Sequence, residues 1–145
     1  MKVKIVVDKN QDSIEISQKI RYEVFVQEQG IPLELDLDGL DKHSYHALAY
    51  INDSAVGSAR LALLENNKAV MARVAITKAH RGKGIAAELI ESLLVKAGQL
   101  NINSIEIHAH EYLKEYYKTF GFNYIKQVEK VGEHQLIEMR LTRKN

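Results

Sequence analysis

Cysteine is absent from this 145-residue chain. That excludes disulfides, thiolate metal sites and any mechanism that needs a thiol nucleophile. A thiol-free chain fits a reducing compartment, and a cytoplasmic location is the expectation. No stretch approaches the ~20 consecutive apolar residues that cross a bilayer. The amino terminus carries an apolar run of only three residues, Ile5-Val6-Val7, too short for a signal peptide and better read as a strand. Neither sign of charge dominates: 20 Lys and Arg stand against 19 Asp and Glu, a formal net charge of +1. A nucleic-acid surface shows a strong basic excess or stripe, so neither nucleic acid nor membrane is an expected partner. Proline occurs once, at Pro32.

What is present is ordinary for a globular protein, 46% hydrophobic and 27% charged. A chain of this length fits one domain over residues 1–145, able to bury roughly two-thirds of its unfolded surface. Residues 4–7 read as a strand. Asp12 or Ser13 can cap the helix that follows, in which Ile16, Ile20, Val24 and Phe25 form an apolar face ending near Gly30. Pro32 marks a break, and residues 33–42 alternate Leu with Asp or Glu in an acidic loop or short helix. Residues 46–51, 55–64 and 69–76 read as strands joined by polar turns. A helix then carries Ile85, Leu89, Leu93 and Ala97 at i+4 steps. Residues 104–110 form a strand, 111–120 a helix capped by Gly121, and 122–130 and 134–142 two closing strands. The order β-α-α-β-β-β-α-β-α-β-β predicts a mixed α/β domain. Its sheet has about seven strands, with one parallel pair across the central helix.

The segment between the third of those strands and the central helix holds the strongest chemical signal. Val74-Ala75-Ile76 ends a strand, and Arg81-Gly82-Lys83-Gly84-Ile85-Ala86 opens a helix. A helix N-terminus collects free N–H groups and positive dipole charge, and glycines let an anion approach that backbone. Arg81 and Lys83 add formal charge. A phosphate or diphosphate is the ligand this arrangement suits. Gly82-Lys83-Gly84-Ile85-Ala86-Ala87 also satisfies the dinucleotide formula G-x-G-x-x-G/A. Four strands precede it, however, and five residues separate it from Ile76. There is no room for two mononucleotide-binding halves, so a nicotinamide cofactor is the weaker reading.

The same six residues, following a strand, resemble the phosphate loop of the GNAT superfamily of acyl-CoA N-acyltransferases. Tyr116-Tyr117-Lys118-Thr119-Phe120-Gly121-Phe122 is similar to that family's F-Y-x-x-x-G-F segment. Residues 21–32, residues 38–41 and residues 133–139 resemble the ElaA/YjcF-like branch. The resemblance covers nearly the whole chain. It implies an N-acetyltransferase that moves an acetyl group from acetyl-CoA directly to the primary amine of a small acceptor, with no metal. It equally accommodates a non-catalytic acyl-CoA-binding or regulatory module. A homodimer is the family-level expectation.

The resemblance implies that the backbone of Arg81, Gly82, Lys83, Gly84, Ile85 and Ala86 binds the cofactor diphosphate. Val74, Ala75 and Ile76 would bond its pantetheine arm. Leu113 and Tyr117 make one i+4 pair on the penultimate helix, and Tyr116 and Phe120 another, so spacing alone leaves either tyrosine a core residue. The family register makes Tyr117 the acid that protonates the departing thiolate, with Tyr116 beside the cofactor. Glu106, His108 and His110 share one strand face, which needs water, partners or a cleft. His110 stands where many family members have Asn or Gln beside the cofactor. It is a candidate for cofactor contact or proton transfer, and hydrogen-bonded structural histidines are the plain alternative. No third ligand accompanies His108 and His110 in the sequence, so a metal site is not expected. Glu28, at the end of the helix that lines the family's acceptor site, is a candidate base, as are His110 and His134. Arg73 and Arg60 could bind an anionic acceptor group or pair with Glu28 or an acidic loop residue. Glu28, Arg73, His108 and His134 complete the candidate acceptor contacts. His43, His46 and His80 have no evident partner and read as surface or strand residues. Residues 34–38 could attract a cationic acceptor or simply form a solvated loop.

Overall fold

Alternating apolar residues build four antiparallel strands first: β1 (Lys4–Asp8), β2 (Ser44–Ile51), β3 (Ser54–Leu63) and β4 (Lys68–Ile76). The computed structural model describes residues 2–143. Both tight turns use residues that tolerate left-handed backbone, Asn52 and Asp53 (φ 50° and 67°) and Asn66 and Asn67 (φ 62° and 57°). Helices α1 (Gln11–Arg21) and the short α2 (Leu33–Asp36) fall between β1 and β2, and α3 (Ile85–Gln99) crosses from β4 to β5 (Ser104–His110), which runs parallel to β4. The final hairpin, β6 (Asn123–Val131) and β7 (His134–Thr142), inserts β7 beside β5. The resulting seven-stranded sheet has the order β1-β2-β3-β4-β5-β7-β6. The expected mixed α/β topology is the one observed.

Helices cover the sheet on opposite sides. Leu89, Ile90 and Leu93 of α3 pack with Ala47, Ala59, Leu61, Ile105 and Met139. On the other face, Ile20 and Val24 pack against Leu48 and Ala75. The switch from Ala47 to Leu48 is the period-2 alternation of a strand covered on both sides.

Three local expectations change. Asn10 caps the first helix, α1 (Gln11–Arg21), by accepting the Ser13 N–H at 2.8 Å, in place of Asp12 or Ser13. A side-chain carbonyl three residues upstream satisfies an orphan N–H that residues inside the turn cannot reach. The second half of that helix, Tyr22–Glu28, is wound as a π-helix. This wider turn buries Val24 in the core while Phe25 lines a cleft. The penultimate helix is short: a 3-10 turn (Glu111–Leu113) precedes α4 (Lys114–Lys118). Gly121, at φ 102°, ends it as expected. Its N–H donates to Lys118 O at 3.0 Å and that of Phe122 to Tyr117 O at 3.3 Å, the paired bonds of a Schellman cap.

One irregularity interrupts the β3–β4 ladder. Arg60 pairs with Ala72 and Ser58 with Ala75, so β4 spends three residues where β3 spends two. Arg73 is in this bulge, with a left-handed φ of 58°. Pairing of β4 with β5 is confined to Lys68–Val70 against Ser104–Glu106. Beyond Val70 the two parallel strands part.

Candidate active site

The gap between β4 and β5 is a cleft of about 360 Å³. Arg73 and Val74 from β4, His108 and His110 from β5, and Tyr117 from α4 all line it. Five residues singled out in the sequence, 44 positions apart at the extremes (73 to 117), therefore meet at one wall. Phe25, Gln29, Ile31, Leu35 and Asp36 close it from the α1 side. Glu28, Ala75, Ile76, residues 81–86, Tyr116 and His134 lie outside its lining.

The glycine loop joins β4 to α3. Gly82 and Gly84 hold φ of 76° and 77°, and a Cβ on either would meet nothing within 4 Å. Backbone conformation, not crowding, therefore calls for glycine here. Gly84 is the N-cap of α3 and supplies no side-chain acceptor to its first turn. Those N–H groups keep their capacity for an external anion. Arg81 is exposed but held at its head: Nε donates to Ile76 O at 3.0 Å, and the two terminal nitrogens donate to Glu28 at 2.5 and 2.6 Å. The Arg81 bond holds the Glu28 carboxyl below its ordinary range.

Beneath the α1 side of the cleft lies a buried ionic network. Arg21 donates Nε to both oxygens of Asp36, at 3.2 and 3.0 Å, and its terminal nitrogens to Asp41, at 2.9 Å each. Arg60 bonds Asp38 at 2.9 and 2.7 Å and Asp41 at 3.3 Å. Arg73 sets Nε 3.2 Å from Asp36 and donates Nη2 to Leu35 O, at 3.3 Å, and to Asp38, at 3.2 Å. Burial pushes the Asp41 carboxyl up, but hydrogen bonds from Arg21 and Gln18 outweigh it and hold it far below the usual carboxylate range. Three guanidinium groups and three carboxylates thus cancel, which is what permits such burial.

This network corrects two expectations. Residues 34–38 are not a free anionic lure: Glu34, Leu35, Leu37 and Asp38 are exposed, but Leu33–Asp36 is a short helix, Asp36 is buried and Asp38 is held by arginines. Of the pairings open to Arg60 and Arg73, the acidic loop is the one formed. His46, read as a surface or strand residue without a partner, is fully buried, with Nε2 3.1 Å from Asp41 O. Burial lowers its pKa against the opposing pull of Asp41 and so favours the neutral ring. His80 also finds a partner, Nδ1 lying 2.9 Å from Thr77 Oγ1.

On the β5 side, Glu106, His108 and His110 share a face as the strand period requires. Glu138 and Arg140 of β7 register opposite His108 and Glu106. His108 Nε2 lies 2.9 Å from Glu106 Oε2, while Arg140 donates to Glu138 at 2.7 Å and stands 3.7 Å from Glu106. This four-residue grouping is invisible without the β5–β7 register. Its sequence signals were the shared strand face of Glu106 and His108 and the place of Glu138 in the 133–139 segment of the family resemblance. His110 keeps Nδ1 buried without a hydrogen-bond partner, and its ring meets that of His134 edge-on at 5.0 Å. Burial, and then the neighbouring His134, push its pKa down. Tyr117 is 9% exposed, packed edge-on to Phe122 at 6.0 Å, and burial pushes its phenol up to about 12. Tyr116 is more exposed and rests on Phe120 at 5.2 Å.

A sheet that splays beside a glycine loop, with a protonated phenol in the gap, is the framework of an acyl-transfer domain. The profile of the acetyltransferase (GNAT) domain matches residues 9–143, and the chain belongs to this family, whose members use acyl-CoA. It is 26% identical over 127 residues to the uncharacterized N-acetyltransferase YjcF of Bacillus subtilis, covering 88% of this chain and 90% of that one. An acyl-CoA N-acyltransferase from Pseudomonas aeruginosa shares the fold with a TM-score of 0.86 at 25% identity, over 97% of this chain and 100% of that one. Escherichia coli ElaA gives 0.84 at 24% identity, over 97% and 99%. The relationship to YjcF and the likeness to ElaA agree with the branch that residues 21–32 and 133–139 resemble.

Proposed function

We propose that the chain is an N-acetyltransferase that moves the acetyl group of acetyl-CoA to the primary amine of a small acceptor by direct attack on the thioester. The observation that carries this reading is Tyr117. A phenol kept protonated by burial lies in the cleft where β4 leaves β5. Amine attack leaves a thiolate that needs a proton, and a neutral phenol can give one at any physiological pH. Behind it, the backbone of residues 81–86 would hold the cofactor diphosphate, with Lys83 adding charge. Val74, Ala75 and Ile76 lie beyond the last β4–β5 pair and offer main-chain groups to the pantetheine arm, as an added strand would find them. Arg81 is already engaged by Glu28, which sets that carboxylate at the loop end of the site. His110, on the cleft wall beside His134, would serve the acyl end, and Arg73 and His108, on the same wall, would contact the acceptor.

The test is calorimetric titration with acetyl-CoA, followed by CoA release across a panel of amines, with Tyr117→Phe as the control. Saturable binding and amine-dependent release are expected. Binding with no release on any amine would replace the enzyme with an acyl-CoA-binding module of the same fold.

A further inference from the structure

An amine acceptor reaches the site chiefly as an ammonium ion, since alkyl amines ionise near ~10. It must lose a proton before its lone pair can attack. Among the nearby candidates, Glu28 has both oxygens bound to Arg81 and lies outside the cleft lining. His110 lines the cleft, but its ring has no carboxylate partner to steady an imidazolium, and burial disfavours that form. His108 combines what the others lack. It lines the cleft, and its Nε2 sits 2.9 Å from the Glu106 carboxylate. An ionised carboxylate only accepts, so Nε2 must be the protonated nitrogen and Nδ1 carries the lone pair. Glu106 in turn is steadied by Arg140, 3.7 Å away, which is anchored to Glu138 at 2.7 Å.

We propose that His108 is the general base for the acceptor amine and that Glu106 is its positioning residue. The assignment rests on the N-acetyltransfer reading. The ammonium gives one proton to His108 Nδ1, which releases it to solvent. The amine lone pair then forms the N–C bond at the thioester carbonyl. As the tetrahedral species collapses, the nitrogen loses a second proton and the C–S bond breaks. Tyr117 protonates the sulfur and is restored by the second proton through solvent. One proton is released per turnover. The charges that face His108 are Glu106 and His110 on its own strand, Glu138 and Arg140 on β7, Lys126 opposite Glu138 on β6, and Arg73 and Asp36 across the cleft.

The experiment follows CoA release against pH for the full chain with acetyl-CoA and spermidine, lysine methyl ester, glucosamine and phenethylamine. His108→Ala is expected to lower kcat/KM by ~10²–10⁴-fold at neutral pH. Acetyl-CoA affinity stays native, the acidic limb of the rate profile disappears, and added imidazole restores part of the rate. Glu106→Gln should lower kcat and displace the acidic limb, which a merely structural role would leave in place. A His108→Ala protein that keeps the native acidic limb overturns the base assignment alone. If that variant does not fold, Glu106→Gln decides, and an undisplaced limb overturns the proposal. Native protein that binds acetyl-CoA but acetylates none of the amines overturns this proposal and the N-acetyltransfer reading together.

Discussion

Glu28 holds Arg81 with both carboxylate oxygens, at 2.5 and 2.6 Å, tying the end of the first helix to the glycine loop 53 residues away. The pair places a negative charge beside a loop suited to a diphosphate. Glu28→Gln removes that charge and leaves Arg81 free to face the anion. Acetyl-CoA affinity is expected to rise by ~2–5-fold at low salt, the scale of an exposed ion pair, and the gain should shrink as salt is added. Calorimetry at two ionic strengths checks this. A weaker affinity would mean that Glu28 is needed to aim Arg81.

Tyr117→Phe keeps the packing against Phe122 and removes only the hydroxyl. Turnover should fall by ~10²–10⁴-fold with acetyl-CoA affinity unchanged. Because the Tyr117 phenol is pushed up to about 12, the native rate should show no decline from this group near ~10, where an ordinary tyrosine ionises. Steady-state rates from neutral to alkaline pH test both statements.

Arg73 combines a left-handed backbone with a guanidinium fastened to residues 35–38. Arg73→Ala and Arg73→Gly lose the same contacts, but alanine keeps the steric penalty of that conformation, ~1–2 kcal/mol. The glycine variant should therefore be more stable than the alanine variant by about 1 kcal/mol in urea unfolding. Equal stabilities would mean that the bulge relaxes once the guanidinium is gone.

Gly84→Ala should separate backbone strain from binding. The new Cβ meets no protein atom within 4 Å, so the stability loss is that of the left-handed backbone, ~1–2 kcal/mol. If the loop holds a diphosphate, acetyl-CoA affinity should also fall by ~10-fold or more, the loss of one charge-assisted hydrogen bond. Thermal melts with and without acetyl-CoA read the two effects independently.

Acid should unfold the protein in two stages. His46 has a pKa lowered by burial, so the unfolded chain takes up that proton first. Its contribution is complete above the unfolded value of ~6.5 and is lost as pH falls below it. Asp38 and Asp41 are lowered by their arginine partners against the opposing effect of burial. Their contribution is complete above the unfolded value of ~3.9 and fades as pH falls further. Thermal midpoints across this range should drop twice, and His46→Gln should flatten the first drop.

Much of this was legible in one dimension. Hydrophobic period and the flanking turn residues placed every strand of the sheet within a residue or two; strands covered on both faces leave strong apolar runs, whereas β6 is exposed along nearly its whole length. The i+4 series Ile85, Leu89, Leu93 and Ala97 marked α3, and all four are buried. The cap of α1 was misplaced because Asn10, Asp12 and Ser13 are all competent capping types, and only the entry angle of the chain selects one. The π-helical turn at Tyr22–Glu28 left no compositional trace. His46 looked like a histidine without a partner because its partner, Asp41, is a neighbour in a folded turn whose carbonyl points back at β2.

By itself, the sequence determined which chemistries are closed to this protein and where a glycine loop suited to an anion lies. Both depend on composition and on residues adjacent in the chain. It also determined the parallel β4–β5 pair, since a strand, a helix and a strand leave few ways to close. Tertiary structure alone decided how the charges are partnered. Asp36 meets Arg21 and Arg73, and His108 meets Glu106 beside Glu138 and Arg140. The Arg73–Asp36 meeting depends on the one-residue bulge in β4, and the company of Glu138 and Arg140 on the register of β7 against β5. A slip of one residue in β7 would turn Glu138 and Arg140 to the opposite face of the sheet, away from Glu106 and His108.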